Sequence, residues 1–117
     1  MGKLTTHVLD TATGRPAAGL RIVLTSLDSG QRLGEFVTNE DGRLNAPALD
    51  GARFQAGRYE LLFSVGDYYR RQEAGGSGGG PAFLDEVPIR FGVADPGAHY
   101  HVPLLVTPWS YSTYRGS

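Results

Sequence analysis

The chain ends in the segment YHVPLLVTPWSYSTYRGS, residues 100–117, in which a strand pattern runs directly into a polar C-terminus. Alternating apolar residues in its first half predict a strand. Its second half places a phenol, a guanidinium, a glycine and a hydroxyl beside the α-carboxylate, which favours a functional site over a frayed end. The alternative is an ordinary last strand with a solvated polar end.

The rest of the chain consists of short segments separated by turn residues, and no stretch keeps the apolar spacing of a long helix. The sequence therefore predicts an all-β fold. The predicted strands cover residues 4–10, 21–26, 32–38, 43–44, 59–65, 86–93, 99–106 and 111–114, and a short helix covers residues 67–72. Eight strands at this spacing predict a two-sheet sandwich.

Length and composition predict a single domain that spans residues 1–117, with a flexible glycine-rich loop at residues 74–80. Eleven basic and twelve acidic side chains give a net charge of −1 and no patch for nucleic acid or an anionic membrane. Cysteine is absent, so the chain has no disulfide, thiol nucleophile or thiolate metal site. With neither a signal-peptide pattern nor a long apolar run, we expect a soluble cytoplasmic protein with a small-molecule or protein partner.

Side-chain alternation along two of the predicted strands places histidines among apolar neighbours. The two outward-facing sets are Thr5, His7 and Leu9 in the first strand and His99, His101, Pro103 and Leu105 in the later one. This surface is too apolar for plain solvent exposure, so it predicts a subunit interface or a pocket that also contains the histidines.

Three interpretations of His7, His99 and His101, the only histidines, remain open on chemistry alone. They could be structural histidines on the surface. They could form a three-histidine zinc site, since residues two apart on a strand face lie about 6–7 Å apart. They could also serve in metal-free acid and base chemistry, with Arg43 or Arg115 binding an anionic substrate or oxyanion.

Three separated motifs together resemble the 5-hydroxyisourate hydrolases, the transthyretin-related enzymes of urate breakdown. They are LTTHVLDTATGRPAAGL at residues 4–20, TNEDGRL at residues 38–44 and the C-terminal segment. The final tetrapeptide, Tyr-Arg-Gly-Ser at residues 114–117, is the feature that separates these hydrolases from the hormone-carrying transthyretins.

The resemblance implies a transthyretin-like sandwich that assembles as a homotetramer, a dimer of dimers, with active sites at the dimer–dimer interface. It implies hydrolytic opening of the cyclic amide of 5-hydroxyisourate, without metal or cofactor, to 2-oxo-4-hydroxy-4-carboxy-5-ureidoimidazoline. The implied catalytic residues are His7, Arg43, His101 and Ser117, and the implied substrate contacts are His7, Arg43, Tyr114, Arg115 and Gly116. The alternative function is transthyretin-like binding of a small ligand without turnover.

Overall fold

The computed structural model describes residues 2–72 and 80–116. Within them lie nine strands, a 3₁₀ turn at Gly51–Arg53 and one α-helix. The strands are β1 (Lys3–Asp10), β2 (Arg15–Pro16), β3 (Arg21–Ser26), β4 (Arg32–Val37), β5 (Leu49–Asp50), β6 (Gly57–Phe63), β7 (Val87–Val93), β8 (His99–Val106) and β9 (Tyr111–Thr113), and the helix is α1 (Val65–Gln72).

The strands form two sheets that pack face to face. One sheet has the order β2-β1-β8-β9, with β5 also paired to β1, and the other has the order β4-β3-β6-β7. All pairs are antiparallel except β1 with β8, which run parallel. Apolar side chains from both sheets meet in one core, whose fully buried members include Leu24, Leu61, Phe63 and Leu104. This is the all-β two-sheet sandwich that the sequence predicts.

The strand count differs from the predicted eight because β2 and β5 are only two residues long and pair with β1 alone. A two-residue strand is too short to show an alternating pattern in a sequence. The strand predicted at residues 43–44 is instead a single bridge between His7 and Arg43. The amide of Arg43 donates to the side chain of Asn39, so the segment stays in its turn and does not extend a ladder.

Helix α1 begins two residues before the predicted start, and β6 correspondingly ends two residues early. The amide of Gly66 donates to the carbonyl of Asp85, and that of Tyr68 donates to the carbonyl of Ser64, so helical bonding starts at Val65. The predicted flexible loop lies outside the described residues except for Gly80. In the described part of the chain, no helix is long and apolar enough to cross a membrane.

The end of β1 is fastened to α1 by a buried carboxylate. Asp10 is 1% exposed and accepts hydrogen bonds from the hydroxyls of Tyr68 and Tyr69 at 2.9 and 2.8 Å. It also accepts from the backbone amides of Ala12 and Thr13. Burial, reinforced by Asp10, raises the pKa of Tyr68 to about 12 and also raises that of Tyr69. These phenols therefore stay protonated and donate hydrogen bonds to the carboxylate of Asp10, and these bonds replace the water that the buried group lacks.

Candidate active site

The parallel pairing of β1 with β8 brings two predicted site residues to one face of the sheet. The strands are in register, with Thr5 opposite His101 and His7 opposite Pro103. Both strands alternate between buried residues and half-buried or exposed ones, which confirms the predicted faces, and Pro103 is the buried member of the outward set. His7 and His101 therefore lie on neighbouring strands, offset by two residues along the ladder, with both rings facing outward.

A tight turn brings Arg43 to the same face. The side-chain oxygen of Asn39 accepts the amides of Asp41 and Arg43, and the carbonyl of Gly42 accepts the amide of Val8 at 2.8 Å. Gly42 has φ +73°, and a Cβ there would lie 2.4 Å from the carbonyl oxygen of Val8. Only glycine fits here, because other residues avoid a positive φ and because any side chain would collide with the carbonyl oxygen of Val8. The turn thus docks on β1 and leaves Arg43 bridged to His7.

The C-terminal segment reaches the site along the other edge of β8. Leu104 pairs with Thr113, and the same register continues to a bridge between His101 and Gly116. The amide of Gly116 donates to the carbonyl of His101 at 2.7 Å. A Cβ at Gly116 would lie 2.5 Å from Cδ2 of His101. The glycine therefore lets the backbone of the tail pack directly against the imidazole ring.

The other residues of the terminal motif divide between the two faces of the sheet. By the same register Tyr114 lies opposite Pro103, on the histidine face, and it is 60% exposed. Arg115 points to the other face, with its guanidinium carbon 4.0 Å from the centre of the Tyr100 ring. Such a cation–π contact is worth about 0.5–2 kcal/mol and holds the tail to β8. Ser117 lies outside the described residues, and a substrate contact by Arg115 stays a prediction.

Replacing Gly116 with alanine is expected to reduce kcat/KM strongly while changing stability little. The new methyl group cannot occupy its place beside His101, so either the tail or the ring must move. A displacement of about 1 Å at a catalytic group can cost about 100-fold in rate. Steady-state kinetics together with thermal unfolding would measure both effects. Gly92→Ala is the matched control, because nothing lies within 4 Å of its added methyl group. Equal activity of the two variants would contradict the packing argument.

An open cavity of about 440 Å³ lies between β1, β8 and the segment after the turn. Its wall includes Lys3, Thr5, Arg43, Asn45, His99 and His101. His7 stands next to this wall through its bridge to Arg43. The volume is within the range of small-molecule sites, and the polar groups converge from three separate parts of the chain. The structure thus unites three predicted catalytic residues, His7, Arg43 and His101.

The surroundings of both site histidines favour the neutral form. Partial burial lowers the pKa of His7 below its usual 6.5, and the Arg43 cation lowers it further, against a smaller opposing effect from the backbone and charge of Asp41. The pKa of His101 is also lowered, first by burial and then by Arg43, with His99 and His7 contributing less. At neutral pH these imidazoles can accept protons beside a fixed cation, which is the arrangement that acid and base catalysis needs.

Side-chain alternation places Thr5 on this face without a role, and the family resemblance does not include His99 among the implied catalytic residues. In the structure Thr5 Oγ1 lies 2.7 Å from His99 Nε2 and 2.8 Å from His101 Nδ1. Both contacts follow from the register, which sets Lys3 opposite His99 and Thr5 opposite His101. Side-chain alternation predicts which face of the sheet each residue is on. Only the pairing of β1 with β8 shows that the hydroxyl of Thr5 lies between the rings of His99 and His101.

The geometry does not favour the zinc alternative. Within residues 2–72 and 80–116, no three histidine, aspartate or glutamate side chains are grouped as metal ligands. One ring nitrogen of His99 and one of His101 are already engaged with the hydroxyl of Thr5, so the point on which they converge is occupied by a side-chain oxygen of the chain. The face is arranged for proton transfer and for binding an anion or an electron-rich carbonyl.

Comparison with known proteins agrees with this fold. A protein from Ralstonia nicotianae with the name 5-hydroxyisourate hydrolase is 62% identical over 119 residues and covers 100% of both chains. The solved 5-hydroxyisourate hydrolase of Klebsiella pneumoniae is 36% identical, with a TM-score of 0.82 and 100% coverage of both chains. A crystal structure of an (S)-allantoin synthase is 52% identical with a TM-score of 0.91, and it covers 99% of this chain but only 44% of its own. The family model described as HIUase/Transthyretin matches residues 4–116, and the chain therefore belongs to the HIUase/Transthyretin family.

Proposed function

We propose that this protein is a hydrolase that opens the cyclic amide of 5-hydroxyisourate to give 2-oxo-4-hydroxy-4-carboxy-5-ureidoimidazoline. The observation that carries the proposal is the union of His7, His101 and Arg43 on one sheet face beside a small cavity. Full-length identity of 62% to a protein named for this reaction supports it. Transthyretin-like binding without turnover is not favoured, because the relatives at this level of identity carry the hydrolase name.

The proposed reaction begins with the substrate ring in the cavity beside Arg43. The guanidinium binds the ring oxygens and stabilises the negative charge that develops on the attacked carbonyl. His7 and His101 together supply the base that takes a proton from the attacking water, an effect worth about 10²–10⁴-fold. Tyr114 and Gly116 contact the substrate on the side of the tail, Ser117 keeps its predicted catalytic role, and Arg115 either contacts the substrate or holds the tail in place.

The bonds and protons of the proposed reaction balance without a cofactor. The oxygen of water forms a bond to the ring carbonyl carbon, and the bond from that carbon to the ring nitrogen breaks. One proton of the water passes through the imidazole base to the departing nitrogen. The second proton is released, because the new carboxyl group is ionised at neutral pH.

The proposal includes a homotetramer whose histidine-bearing faces meet across a central channel. The half-buried Leu9 and Leu105 on this face, together with the exposed Tyr114, are apolar surface that a second copy could cover. Sedimentation equilibrium tests the assembly, with an expected mass of four times the 12.6 kDa chain. A cytoplasmic location is also part of the proposal, and cell fractionation tests it.

Turnover of freshly made substrate tests the proposed function. Uricase would generate 5-hydroxyisourate from urate in the cuvette, and the protein is expected to remove it faster than its spontaneous decay. Circular dichroism of the chiral product would follow the same reaction independently. His7→Ala and Arg43→Glu are expected to abolish the effect while the assembly keeps its size. A protein that bound an aromatic ligand in the channel but left the decay rate unchanged would instead be a carrier.

A further inference from the structure

The hydroxyl of Thr5 connects a half-buried histidine to an exposed one. His101 and His99 both line the cavity and lie two residues apart on the same face, and His99 is the more exposed of the two. The two ring centres are 6.1 Å apart, too far for a direct hydrogen bond. Thr5 Oγ1 spans this gap with contacts of 2.7 and 2.8 Å, both at ordinary hydrogen-bond distance.

The chemistry of a hydroxyl restricts how these contacts can be protonated. A hydroxyl has one proton to donate, so it donates to one ring nitrogen and accepts a proton from the other. Either His101 Nδ1 or His99 Nε2 therefore carries a proton when both bonds form. When His101 carries it, the Nε2 of His101 has a free lone pair and can act as a base. The protonation states of the two histidines are thus coupled through Thr5.

We propose that Thr5 and His99 form a proton relay for His101, which moves the positive charge of the protonated base out to solvent. This inference rests on the proposed hydrolase function. His101 Nε2 accepts a proton from the attacking water. Its Nδ1 proton then passes to Thr5 Oγ1 as the hydroxyl proton passes to His99 Nε2. The charge now lies on His99, and His101 is neutral with its remaining proton directed at the substrate.

The reverse movement completes the cycle. His101 Nε2 donates its proton to the departing ring nitrogen, while a proton returns from His99 Nε2 through Thr5 to His101 Nδ1. Both imidazoles are then neutral, as at the start, and no proton is gained or lost by the relay. Thr5 is a positioning residue in this scheme, since it does not contact the reacting atoms.

The charges around His101 explain why moving a proton away from it would help the reaction. The titratable and charged groups that face the cavity or stand beside it are Lys3 and His7 from β1, Asp41 and Arg43 from the turn and His99 from β8. Arg43 and a protonated His101 would be two cations next to one substrate. Moving the second charge to exposed His99 lets water solvate it and leaves Arg43 to stabilise the oxyanion.

The experiment compares two substitutions of Thr5 in the full-length protein. Thr5→Val keeps the shape of the side chain and removes the hydroxyl, whereas Thr5→Ser keeps the hydroxyl. We expect the valine variant to lose about tenfold to 100-fold in kcat with little change in KM. This loss is smaller than the full effect of a general base, because His101 itself remains. The serine variant should retain most of the wild-type rate. Thr25→Val in β3 is the matched control, because it removes a hydroxyl from the other sheet.

A second variant and a second readout separate a relay from a structural role. His99→Gln changes an exposed residue, keeps a hydrogen-bonding partner for Thr5 and removes the proton acceptor. It should lower kcat as Thr5→Val does, and added imidazole should restore its rate but not that of Thr5→Val. A proton inventory in mixed H₂O and D₂O should curve for the wild type, where several protons move together, and be linear for both variants.

Each outcome has a defined meaning. Wild-type kcat and a curved inventory in either Thr5→Val or His99→Gln would overturn the relay while leaving the hydrolase function intact. An inactive wild-type protein would instead contradict the proposed function itself. If Thr5→Val fails to fold, which circular dichroism would reveal, His99→Gln with imidazole rescue decides the question alone.

Discussion

Replacement of His101 with asparagine is expected to lower kcat about 10²–10⁴-fold, the range that a positioned general base contributes. Asparagine keeps a polar group near Thr5 and the backbone bond to Gly116, but it cannot take a proton from water at neutral pH. The loss should appear in kcat more than in KM, because the imidazole acts mainly in the transition state. Single-turnover kinetics with enzymatically generated substrate would measure it.

The His101→Asn experiment needs a fold control, since the residue is half-buried and paired on both sides. Thermal unfolding and sedimentation should show a protein with the wild-type assembly. His7→Asn provides the comparison within the site, because His7 lies on the same face and is bridged to Arg43. If His101→Asn keeps the wild-type kcat while His7→Asn loses it, His7 alone is the base and the shared assignment is wrong.

Replacement of Arg43 with glutamine is expected to cost about 10²–10³-fold in kcat, the usual loss when one stabilising group for an oxyanion is removed. It should also move the acidic limb of the pH profile. Arg43 is the second cause, after burial, that lowers the pKa of His7 and of His101. Without this cation both pKa values rise, so the base becomes protonated at a higher pH and activity is lost earlier on acidification.

The direction of that shift can be checked in kcat/KM measured between pH 5 and 8. In the wild type the acidic limb should lie below 6.5, the usual pKa of histidine, because both pKa values are lowered. In Arg43→Gln it should move to higher pH, since one of the two main causes of the lowered pKa values is gone. Arg53→Gln, which changes an exposed arginine in the 3₁₀ turn, should leave the profile unchanged. An unmoved limb in Arg43→Gln would contradict the electrostatic argument.

Much of the sandwich could be predicted from local patterns because its long strands alternate clearly. The bounds of β8 agree with the prediction, and the outward positions of His7 and His101 follow from side-chain alternation alone. The short strands β2 and β5 could not be predicted, since they exist only through their pairing with β1. At the start of helix α1 the amide of Gly66 bonds to the carbonyl of Asp85, a contact that no local pattern contains.

The candidate site was predictable in its residue types but not in its internal contacts. The motif at residues 38–44 and the terminal motif indicate Arg43 and the tail from the sequence alone. The bridging hydroxyl of Thr5 depends on a parallel register between strands at opposite ends of the chain, and the fit of Gly116 against His101 depends on a distance. Both contacts belong to the tertiary structure, because they join residues that local sequence patterns do not relate to each other.

The pairing of β1 with β8 also determines when the site can exist during synthesis. Thr5 and His101 are separated by 96 positions, and the whole second sheet is encoded between them. Contacts between such distant residues form late and slowly, because the intervening chain must first be ordered. A nascent chain that has emerged only through β7 contains His7 and Arg43 but has no second histidine strand to pair with β1. We therefore expect activity to arise in one step after β8 and the tail have been translated, so that interrupted translation products are inert.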